Sequence, residues 1–454
     1  MKKTDYKIDI CPQAEKVMAR LESEGFECYA VGGCVRDALR GQRPEDFDLA
    51  TNASPVQMQE VFRDFKTFDV GLRHGTLTVV SDRKNIEVTT FRTDGAYSDN
   101  RHPDSVRFTR SLAEDLSRRD FTVNAMAWSK KTGLVDPFGG REDLAKGIVR
   151  CVGEPDRRFR EDALRILRGL RFASVLDFKI EEATVRSMKQ ETRRLQNISE
   201  ERIFSELKKL ICGEGVLRVL LDFPDIFSEI IPELSPCIGF DQKSRYHCYD
   251  VYEHTARTVS YCEPDAAVRL AALFHDIAKP QTFTLDQKGG HFYGHPARSA
   301  EMTESILRRL RADTKTIQTV CTLVLYHDRV IPPEKRAVKR MLSKMPLETF
   351  LALQKLRYGD RMAHAPEHRG GISELRTIEK LAAEIVKEKE CFSIKQLNIK
   401  GSDLMQELSM PEGKEVGQLL RMLTDEVIDE KLKNEKSALL KRAGELYAKR
   451  CTDA

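Results

Sequence analysis

The spacing of apolar residues changes along the chain and predicts two kinds of architecture. Three short runs rich in alternating and β-branched residues, GTLTVV (75–80), IEVTTF (86–91) and SVRFTR (105–110), follow the segment CYAVGG. Such runs are typical of strands. Residues 13–24 instead carry apolar side chains at helical spacing and end before Gly25. We therefore predict a small mixed sheet flanked by helices.

Amphipathic patterns of helical period dominate from about residue 155 to the end of the chain. EDALRILRGLRFA and ISEERIFSELKKLI are two examples, and β-rich runs become rare. The fold class is therefore predicted to be α+β, a mixed-sheet head followed by mostly α-helical domains. The length suits two to four domains. We place the domain limits at 1–150 (head), 151–235 (neck), 236–365 and 366–454 (tail).

Composition narrows the classes of function. Hydrophobic residues make up 41 % of the 454 residues, charged residues make up 32 %, and the net charge is only +4. These values suit an ordinary soluble protein, so a nucleic-acid site would need local basic clusters such as EKLKNEKSALLKRAGELYAKR, which also suits a solvated helix face. No apolar run approaches the ~18 residues of a membrane span, and no signal peptide is evident. The eleven cysteines include no Cys-x-x-Cys pair, so we expect free thiols and a cytoplasmic location.

The segment AVGGCVRDALRGQRPEDFDLAT holds the most informative combination of residues. Gly32 and Gly33 lack a Cβ, so a triphosphate could approach the backbone closely there. The N–H groups of the helix predicted to follow favour an anion. Arg36 lies one turn into that helix and could add a bidentate phosphate contact. A plain turn is the alternative interpretation of the Gly-Gly pair.

Two aspartates follow the glycines in the same segment. Asp46 and Asp48 are one residue apart in a strand-like run, so alternation directs both carboxylates to one face. Neighbouring carboxylates repel unless a cation neutralises them, and Mg²⁺ is the natural hard cation for oxygen ligands. Two such ions could activate a 3′-hydroxyl group and stabilise leaving pyrophosphate. Glu87 is a candidate third carboxylate, and turn or capping roles are the alternative for the aspartates.

A helical pattern in EDALRILRGLRF carries a second group of polar residues. Asp162 and Arg165 are three positions apart and are predicted to share a helix face. A carboxylate accepts and a guanidinium donates, so the pair suits the amine and ring nitrogen of cytosine or adenine. Uracil and guanine would leave both groups unpaired, at about 1–3 kcal/mol each. Arg168 and Arg171 continue along the helix, and a surface ion pair is the alternative interpretation.

The order of these segments resembles that of a known family. GGCVRDALRG…EDFDLAT is similar to the signature of class II, the bacterial-type branch of the CCA-adding and poly(A) polymerase family of nucleotidyltransferases. TTFRTDGAYSDNRHPDSVRF resembles that family's flexible loop, and RRDFTVNAMA and DPFGGREDL resemble its next blocks. RFREDALRILRGLRF resembles its nucleotide-selecting helix, and the tail GKEVGQLL…NEKSALL is similar too. The resemblance runs almost continuously through the first 220 or so residues.

The resemblance implies an enzyme that adds CCA, from CTP and ATP, to the 3′ end of tRNA without a nucleic-acid template. It assigns base selection to the Asp162–Arg165 pair, nucleotide contact to Arg119, and positions near the ribose to Asp120 and Asn124. With the residues singled out above, the predicted catalytic set is Asp46, Asp48 and Glu87, the aspartates being ligands of Mg²⁺. The predicted nucleotide-binding set is Gly33, Arg36, Arg119, Asp120, Asn124, Asp162, Arg165, Arg168 and Arg171.

Two segments leave details open. FTVNAMA is predicted to start an apolar helix that Asp120 could cap. The flexible loop, 93–107, carries Asp94 and Tyr97, and this chain has Arg101-His102 where relatives usually show two arginines. The retained loop favours competence for the terminal A, since some enzymes that add only CC lack it.

Six of the ten histidines lie between residues 247 and 327. Imidazole and carboxylate ligands suit a transition metal, although satisfied core histidines are the alternative. The series resembles the HD phosphohydrolase domain, which implies His295 and His327 as contacts for a second metal or a phosphate. The implied metal ligands are His254, His275, Asp276 and Asp360. Such a domain could hydrolyse phosphoesters at RNA 3′ ends or be a degenerate spacer.

Other functions stay open on the sequence alone. A poly(A) polymerase or an enzyme that adds only the terminal A would share the head motifs. An HD phosphohydrolase with an inert RNA-binding head predicts that Asp46→Ala leaves activity intact while Asp276→Ala abolishes it. An RNA-binding scaffold predicts no nucleotide incorporation, against which the intact Asp-x-Asp pair argues.

Overall fold

A computed structural model describes residues 8–95, 106–287 and 289–453. The chain forms two compact units, Met1–Ser235 and Pro236–Ala454. The first contains a mixed sheet and helices, and the second is almost entirely helical. The predicted α+β class is therefore confirmed. The division into four domains stays a prediction.

A seven-stranded mixed sheet forms the head of the first unit. Its spatial order is β3-β4-β5-β2-β1-β8-β9; β2 and β5 run parallel and the other neighbours run antiparallel. A separate antiparallel pair joins β6 to β7. The strands are β1 (Cys28–Val31), β2 (Asp48–Thr51), β3 (Lys66–Phe68), β4 (Thr76–Ser81), β5 (Lys84–Thr90), β6 (Arg92–Asp94), β7 (Val106–Phe108), β8 (Ala127–Ser129) and β9 (Gly133–Val135).

Helices cover the sheet because the alternating strands leave apolar side chains on the covered face. Leu77 and Val79 of β4 and Val88 of β5 are buried, as alternation predicts for these runs. They join Val17 and Leu21 of the first helix in one apolar cluster. The head helices are α1 (Pro12–Ser23), α2 (Gly33–Leu39), α3 (Pro55–Val61), α4 (Leu112–Ser117) and α5 (Gly140–Lys146).

The rest of the first unit is helical apart from a short parallel pair, β10 (Ile148–Val149) and β11 (Lys179–Ile180). Its longest helix buries Ile166, Leu167 and Leu170, which follow the helical period of the sequence. The helices are α6 (Pro155–Glu161), α7 (Leu164–Val175), α8 (Glu182–Glu191), α9 (Glu200–Leu210), α10 (Val216–Asp222) and α11 (Pro224–Ile230).

The helix predicted to run unbroken through EDALRILRGLRF is interrupted, so that part of the prediction is wrong. The chain is extended at Asp162, with φ −145° and ψ 104°, between α6 and α7. The Asp162 carboxylate accepts a hydrogen bond from the Leu164 N–H at 3.0 Å. Aspartate at a helix start satisfies such a free first-turn donor, and this favours a new helix over continuation of the old one.

The second unit consists of helices with one short hairpin. Helices α12, α13, α16 and α18 pack against one another, and α20 to α22 share a separate apolar core with Leu404, Leu419 and Leu439 at its centre. The hairpin is β12 (Thr284–Asp286) and β13 (Gly289–His291). The helices are α12 (Val251–Tyr261), α13 (Ala266–Phe274), α14 (Lys279–Thr282), α15 (His295–Arg309), α16 (Thr314–Tyr326), α17 (Lys335–Leu342), α18 (Leu347–Ala363), α19 (Ile372–Lys387), α20 (Gly401–Leu408), α21 (Lys414–Ile428) and α22 (Lys436–Asp453).

Two expectations about the whole chain can be compared with the described part of it. No helix there combines the length and apolar character needed to cross a membrane. The ten cysteines whose side chains the structure describes are free thiols, as expected.

Candidate functional site

Three carboxylates lie on one face of the head sheet. Asp48 opens β2 and stands in register with Glu87 of the parallel strand β5. Asp46, Asp48 and Glu87 are exposed, whereas the intervening Phe47 and the following Leu49 are buried. Residues in register on adjacent strands project to the same face of a sheet. The predicted grouping of the three carboxylates is therefore present.

The three carboxylates also repel one another. The pKa of Asp48 is raised because surrounding protein atoms displace water from its carboxylate; Arg119 opposes the rise and Asp46 adds to it. Desolvation raises the pKa of Glu87 as well, and the charges of Asp48 and Asp46 add to that rise. Such mutual repulsion is relieved by a bound divalent cation, which these oxygen donors suit.

The twin glycines adjoin this face at the start of α2. Gly32 has φ +74°, which a residue with a Cβ rarely adopts. A Cβ built on it would lie 2.9 Å from Nη1 of Arg119, whereas a Cβ on Gly33 would be in ordinary contact, 3.7 Å from Arg36. The structural need for glycine therefore falls on Gly32, which allows the Arg119 side chain to lie against the backbone.

Four predicted nucleotide-binding residues form a continuous hydrogen-bonded chain. Nη1 of Arg36 donates to Oδ1 of Asn124 at 2.7 Å, and Nδ2 of Asn124 donates to Oδ1 of Asp120 at 3.2 Å. Arg168 on α7 donates to Oδ2 of Asp120 from Nε (2.8 Å) and Nη2 (2.6 Å). This chain, the Arg36–Arg168 network, holds the helix after the glycines and α7 in a fixed relation.

Phe172 packs beside this network and was not predicted. The guanidinium carbons of Arg36, Arg168 and Arg171 lie 5.3, 5.7 and 4.0 Å from its ring centroid. Cations over an aromatic face are stabilised by the ring quadrupole. Nε of Arg171 also donates to Glu206 at 2.5 Å. A phenylalanine four positions after Arg168 on the same helix was the available signal.

Asp162 and Arg165 do not lie on one continuous helix as predicted, because the chain is extended at Asp162. The Asp162 carboxylate accepts from Arg202 at 2.8 Å, and Nη1 of Arg165 donates to Glu161 at 2.8 Å. Nη2 of Arg165 donates to the backbone carbonyl of Arg118 at 3.2 Å. Neither partner, Arg202 nor Glu161, was predicted.

The segment FTVNAMA is not an α-helix, contrary to prediction. A single 3₁₀ turn spans Thr122–Asn124, and the chain then enters the sheet as β8, where Trp128 pairs with Ala30. Its apolar run is that of a buried strand. Asp120 consequently caps no helix there; its Oδ1 accepts from the neighbouring Phe121 N–H at 2.8 Å.

The second unit gathers histidines and aspartates from distant elements. Nε2 of His254, on α12, lies 3.0 Å from Oδ1 of Asp360 on α18. Nε2 of His275 lies 3.0 Å from Oδ2 of Asp276 and 3.4 Å from Nε2 of His254. His275 and Asp276 directly follow α13, which ends at Phe274. The histidine–aspartate centre, as we call it, comprises His254, His275, Asp276, His295, His327 and Asp360.

Backbone carbonyls orient the imidazoles of this centre. Nδ1 of His275, His295 and His327 lies 2.8, 2.8 and 2.7 Å from a carbonyl oxygen three residues earlier in the chain. A carbonyl oxygen only accepts, so Nδ1 carries a proton and donates; in the neutral ring Nε2 then holds a lone pair. Nε2 of His295 lies 3.3 Å from Oδ1 of Asp276 and 3.3 Å from Nε2 of His327. Ring nitrogens fixed in this way are suited to bind a metal ion.

Asp276 of the centre is buried but ionised. Burial would raise the pKa of Asp276, but His275 and Lys279 hold it well below its ordinary value. Sequence reasoning missed Lys279, whose Nζ lies 2.7 Å from Oδ2 of Asp276, although its i+3 spacing was visible. It also missed His364, whose Nε2 lies 3.5 Å from Oδ1 of Asp360.

Some predicted contacts fall outside the described residues. Tyr97, Arg101 and His102 of the flexible loop lie there, and the side chain of Asp94 does too.

Three family models match the chain in order. Residues 28–150 match the poly A polymerase head domain, and residues 177–238 match a probable RNA- and SrmB-binding site of polymerase A. Residues 297–443 match a tRNA nucleotidyltransferase domain 2, described as putative. Curated relatives extend the similarity to nearly the whole length. The CCA-adding enzyme of Lactococcus lactis subsp. cremoris is 34 % identical over 436 residues, 94 % of each chain, and that of Ligilactobacillus salivarius is 31 % identical over 445 residues, 96 % of each.

The chain belongs to the CCA-adding enzyme family. The predicted resemblance is thereby confirmed. Other family members match over a shorter span: the match to the CCA-adding enzyme of Limosilactobacillus reuteri is 45 % identical and covers 46 % of this chain and about half, 52 %, of that enzyme. Nucleotidyltransferases of this family depend on divalent metal ions.

Solved structures of CCA-adding enzymes share the fold. The Bacillus stearothermophilus CCA-adding enzyme in complex with CTP has a TM-score of 0.75 and 29 % identity, covering 98 % of this chain and 100 % of that one. The Thermotoga maritima CCA-adding enzyme complexed with tRNA has a TM-score of 0.58, covering 96 % and 95 %. At 19 % identity, the second comparison supports the fold alone.

Asp120 of the Arg36–Arg168 network should make the stability of this CCA-adding family member depend on pH. Burial would raise the pKa of Asp120, but its pairing with Arg168 lowers it from 3.8 to about 2. A carboxylate whose pKa is lower in the folded than in the unfolded protein stabilises the fold at any pH above its unfolded pKa. This contribution to the free energy of unfolding is lost as pH falls from about 4 to about 2. Over that interval we expect Asp120 to account for a loss of about 2 kcal/mol in the unfolding free energy of the wild type. Asp120→Asn should not show this loss.

Urea unfolding at pH 7, 5, 4, 3 and 2 measures this difference. Asp120→Asn should be less stable than the wild type at pH 7, because Arg168 loses its buried partner. The difference in unfolding free energy between the two proteins should become smaller toward pH 2. The exposed Asp64, which lies 3.5 Å from Arg20, provides a matched control. Asp64→Asn should follow the wild type throughout; a gap for Asp120→Asn that stays constant with pH would contradict the assignment.

Proposed function

We propose that this protein adds CCA, from CTP and ATP, to the 3′ end of tRNA without a nucleic-acid template. The observation that carries the proposal is the grouping of Asp46, Asp48 and Glu87 on one face of the head sheet, beside Gly32 and Arg119. Membership of the CCA-adding enzyme family supports it, as does the likeness to a solved member in complex with CTP.

The three carboxylates would have different roles in nucleotidyl transfer. Asp46 and Asp48 would hold Mg²⁺, which supplies a Lewis acid for the 3′-hydroxyl group and the triphosphate. The 3′-oxygen, its proton released to solvent, would form a bond to the α-phosphorus while the bond from the α-phosphorus to the bridging oxygen breaks, so that pyrophosphate leaves with that oxygen. Glu87 would add a third negative charge to the face that holds the cation. Arg119 and Arg36 donate to the triphosphate oxygens.

Base selection rests on Asp162 and Arg165, each already oriented by a partner. Asp162 keeps its bond to Arg202 and still has free carboxylate lone pairs, because a carboxylate accepts about four hydrogen bonds. Arg165 is held by Glu161 and by a backbone carbonyl, so its guanidinium is fixed in place. The carboxylate accepts from the exocyclic amine of C or A, and the guanidinium donates to the ring nitrogen beside it. Arg168 and Arg171 extend the basic face of α7.

One assay tests the proposal directly. Purified protein is incubated with Mg²⁺, each labelled triphosphate, and tRNA transcripts that end before CC, before C, or before A. CTP should be used on the first two transcripts and ATP on the third. Incorporation of ATP alone on varied RNAs would support a poly(A) polymerase instead. Incorporation of ATP only on the transcript ending in CC would indicate an A-adding enzyme.

The twin glycines offer a graded test of the triphosphate site. Gly32→Ala should lower the catalytic efficiency of CTP incorporation by about 10- to 100-fold, because its Cβ would displace Arg119 and cost about 1–3 kcal/mol of triphosphate stabilisation. Gly25→Ala is the matched control, since Gly25 also has a positive φ, +84°, but has open space around a Cβ. Steady-state kinetics compare the two variants. Equal losses in both would show that backbone strain, and not Arg119, is responsible.

We also propose a second activity, phosphoester hydrolysis at a divalent transition metal held by the histidine–aspartate centre. The convergent Nε2 atoms of its histidines support this, since their backbone-anchored tautomers match those of metal ligands. His254, His275, Asp276 and Asp360 would be the ligands, with His295 and His327 near a second ion or the phosphate. Two groups in the centre have ligand atoms within 4.8 Å of one another.

Three further proposals concern the whole chain. The four-part division into head, neck, HD domain and tail, with limits at 150, 235 and 365, is retained from the sequence. The neck and the basic tail would contact tRNA. A cytoplasmic location likewise rests on the sequence.

A further inference from the structure

A cavity of about 810 Å³ lies over the histidine–aspartate centre. Asp276, His295 and His327 form part of its wall, and so does Lys279. The volume lies within the range of sites for small organic ligands, about 300–1,000 Å³. It is larger than a metal ion and a phosphate group require. The remaining space is large enough for the organic part of a phosphoester.

An exposed aromatic pair forms another part of the wall. Tyr293 is 75 % exposed, which is unusual for so large an aromatic side chain. Its ring lies parallel to that of His291, with an interplanar angle of 11° and centroids 5.3 Å apart. Nε2 of His291 lies 3.0 Å from Oδ1 of Asp286 on the facing strand of the hairpin. The pair is thus a positioned platform with a broad solvent-exposed surface.

The chain fixes the platform close to the centre. Tyr293 lies two residues before His295 in the chain, and Nε2 of His295 lies 3.3 Å from Oδ1 of Asp276. Two residues span at most ~7 Å of backbone, which is comparable to the reach of a ribose between a base and its phosphate. Stacking on aromatic side chains is a common way to bind nucleobases, and every base offers a face for it.

We propose that Tyr293, supported by His291, is the base-stacking platform of a nucleotide site whose phosphate lies at the histidine–aspartate centre. The substrate class is a nucleotide, either free or at the end of an RNA chain. This inference rests on the proposed metal centre and adds its substrate class. Arg245, which also lines the cavity, is a further cationic residue of a wall suited to an anionic ligand.

Calorimetric titration of the full-length protein, reconstituted with Mn²⁺, tests the platform with AMP and with ribose 5-phosphate, which lacks the base. Tyr293→Ala should weaken AMP binding by about 5- to 100-fold, as loss of one stacking contact implies, and leave ribose 5-phosphate binding unchanged. Tyr293→Phe, which keeps the ring, should bind AMP like the wild type. Leu285→Ala is the matched control, since Leu285 is 65 % exposed on the same hairpin.

Binding to the head must be separated from binding at the centre. AMP that still binds to His275→Ala gives the contribution of the head, and it is subtracted. No wild-type binding above that reference, or undiminished AMP binding to metal-loaded Tyr293→Ala, would overturn the inference. Equal weakening of both ligands would also overturn it, because it would indicate distortion and not stacking. If the wild type did not bind Mn²⁺, the proposed metal centre would be wrong. A loss of affinity in Tyr293→Ala for AMP but not for ribose 5-phosphate would still support the platform.

CTP incorporation by Tyr293→Ala should equal that of the wild type, because Tyr293 belongs to the second unit and the carboxylates of the head to the first. Titrating a short RNA with a 3′-terminal phosphate in place of AMP then distinguishes a free nucleotide from a chain end.

Discussion

Replacement of Asp48 by asparagine is expected to reduce nucleotide incorporation by about 1,000-fold or more. The substitution removes one negative charge from the face where the cation would bind, and metal-ion catalysis contributes several kcal/mol of transition-state stabilisation. Each 1.36 kcal/mol corresponds to a tenfold change in rate. Single-turnover incorporation of CTP and of ATP, on the transcripts described above, measures the loss.

The fold should survive this substitution. The raised pKa of Asp48 means that its charge is less favourable in the folded than in the unfolded protein. Asp48→Asn should therefore unfold at the same temperature as the wild type or a higher one. Stability gained together with activity lost is typical of a functional residue held in an unfavourable environment.

Asp82→Asn supplies the matched control for the charge change. Asp82 lies between β4 and β5 of the same sheet, its side chain is 60 % exposed, and its φ of +46° is one that asparagine tolerates. This variant should incorporate CTP at the wild-type rate. Incorporation by Asp48→Asn within tenfold of the wild type would show that the carboxylates do not hold the catalytic metal.

Local patterns in the sequence were sufficient to predict that the carboxylates of the head share one face. Asp48 and Glu87 lie in strands whose period of two can be read directly, and Asp46 lies two residues before Asp48. Their common face therefore followed without knowledge of the tertiary fold. The interruption at Asp162 could not be read in the same way. The apolar spacing continues across it, and one side-chain bond to the Leu164 N–H accompanies the change of backbone.

Long-range pairing explains what else the sequence could not supply. The Arg36–Asn124 bond joins residues 88 positions apart, and the Asp120–Arg168 pair joins residues 48 positions apart. Neither spacing carries a periodic signal. The histidine–aspartate centre was anticipated through resemblance alone, because His254 and Asp360 are 106 positions apart. Lys279 and His364, by contrast, are only three and four positions from Asp276 and Asp360, so these two contacts could have been read from the sequence.

His275→Ala is expected to separate the two proposed activities. The variant loses an imidazole that is 1 % exposed, and with it one ring nitrogen of the proposed metal site. We expect tightly bound Mn²⁺ or Ni²⁺ to fall to background in elemental analysis. Hydrolysis of bis(4-nitrophenyl) phosphate should fall by about 1,000-fold, since metal activation of water is worth several kcal/mol. His368→Ala, which removes an imidazole outside the centre, should change neither.

Incorporation of CTP and ATP by His275→Ala should stay within about twofold of the wild type, because His275 belongs to the second unit and the carboxylates of the head belong to the first. Asp48→Asn should show the reverse, with bound transition metal and hydrolysis retained. An HD phosphohydrolase with an inert head predicts no incorporation in any variant, and a structural spacer predicts no metal in the wild type. A joint loss of both activities in either variant would mean that the two centres act as one, and the assignment of separate roles to Asp48 and His275 would then have to be abandoned.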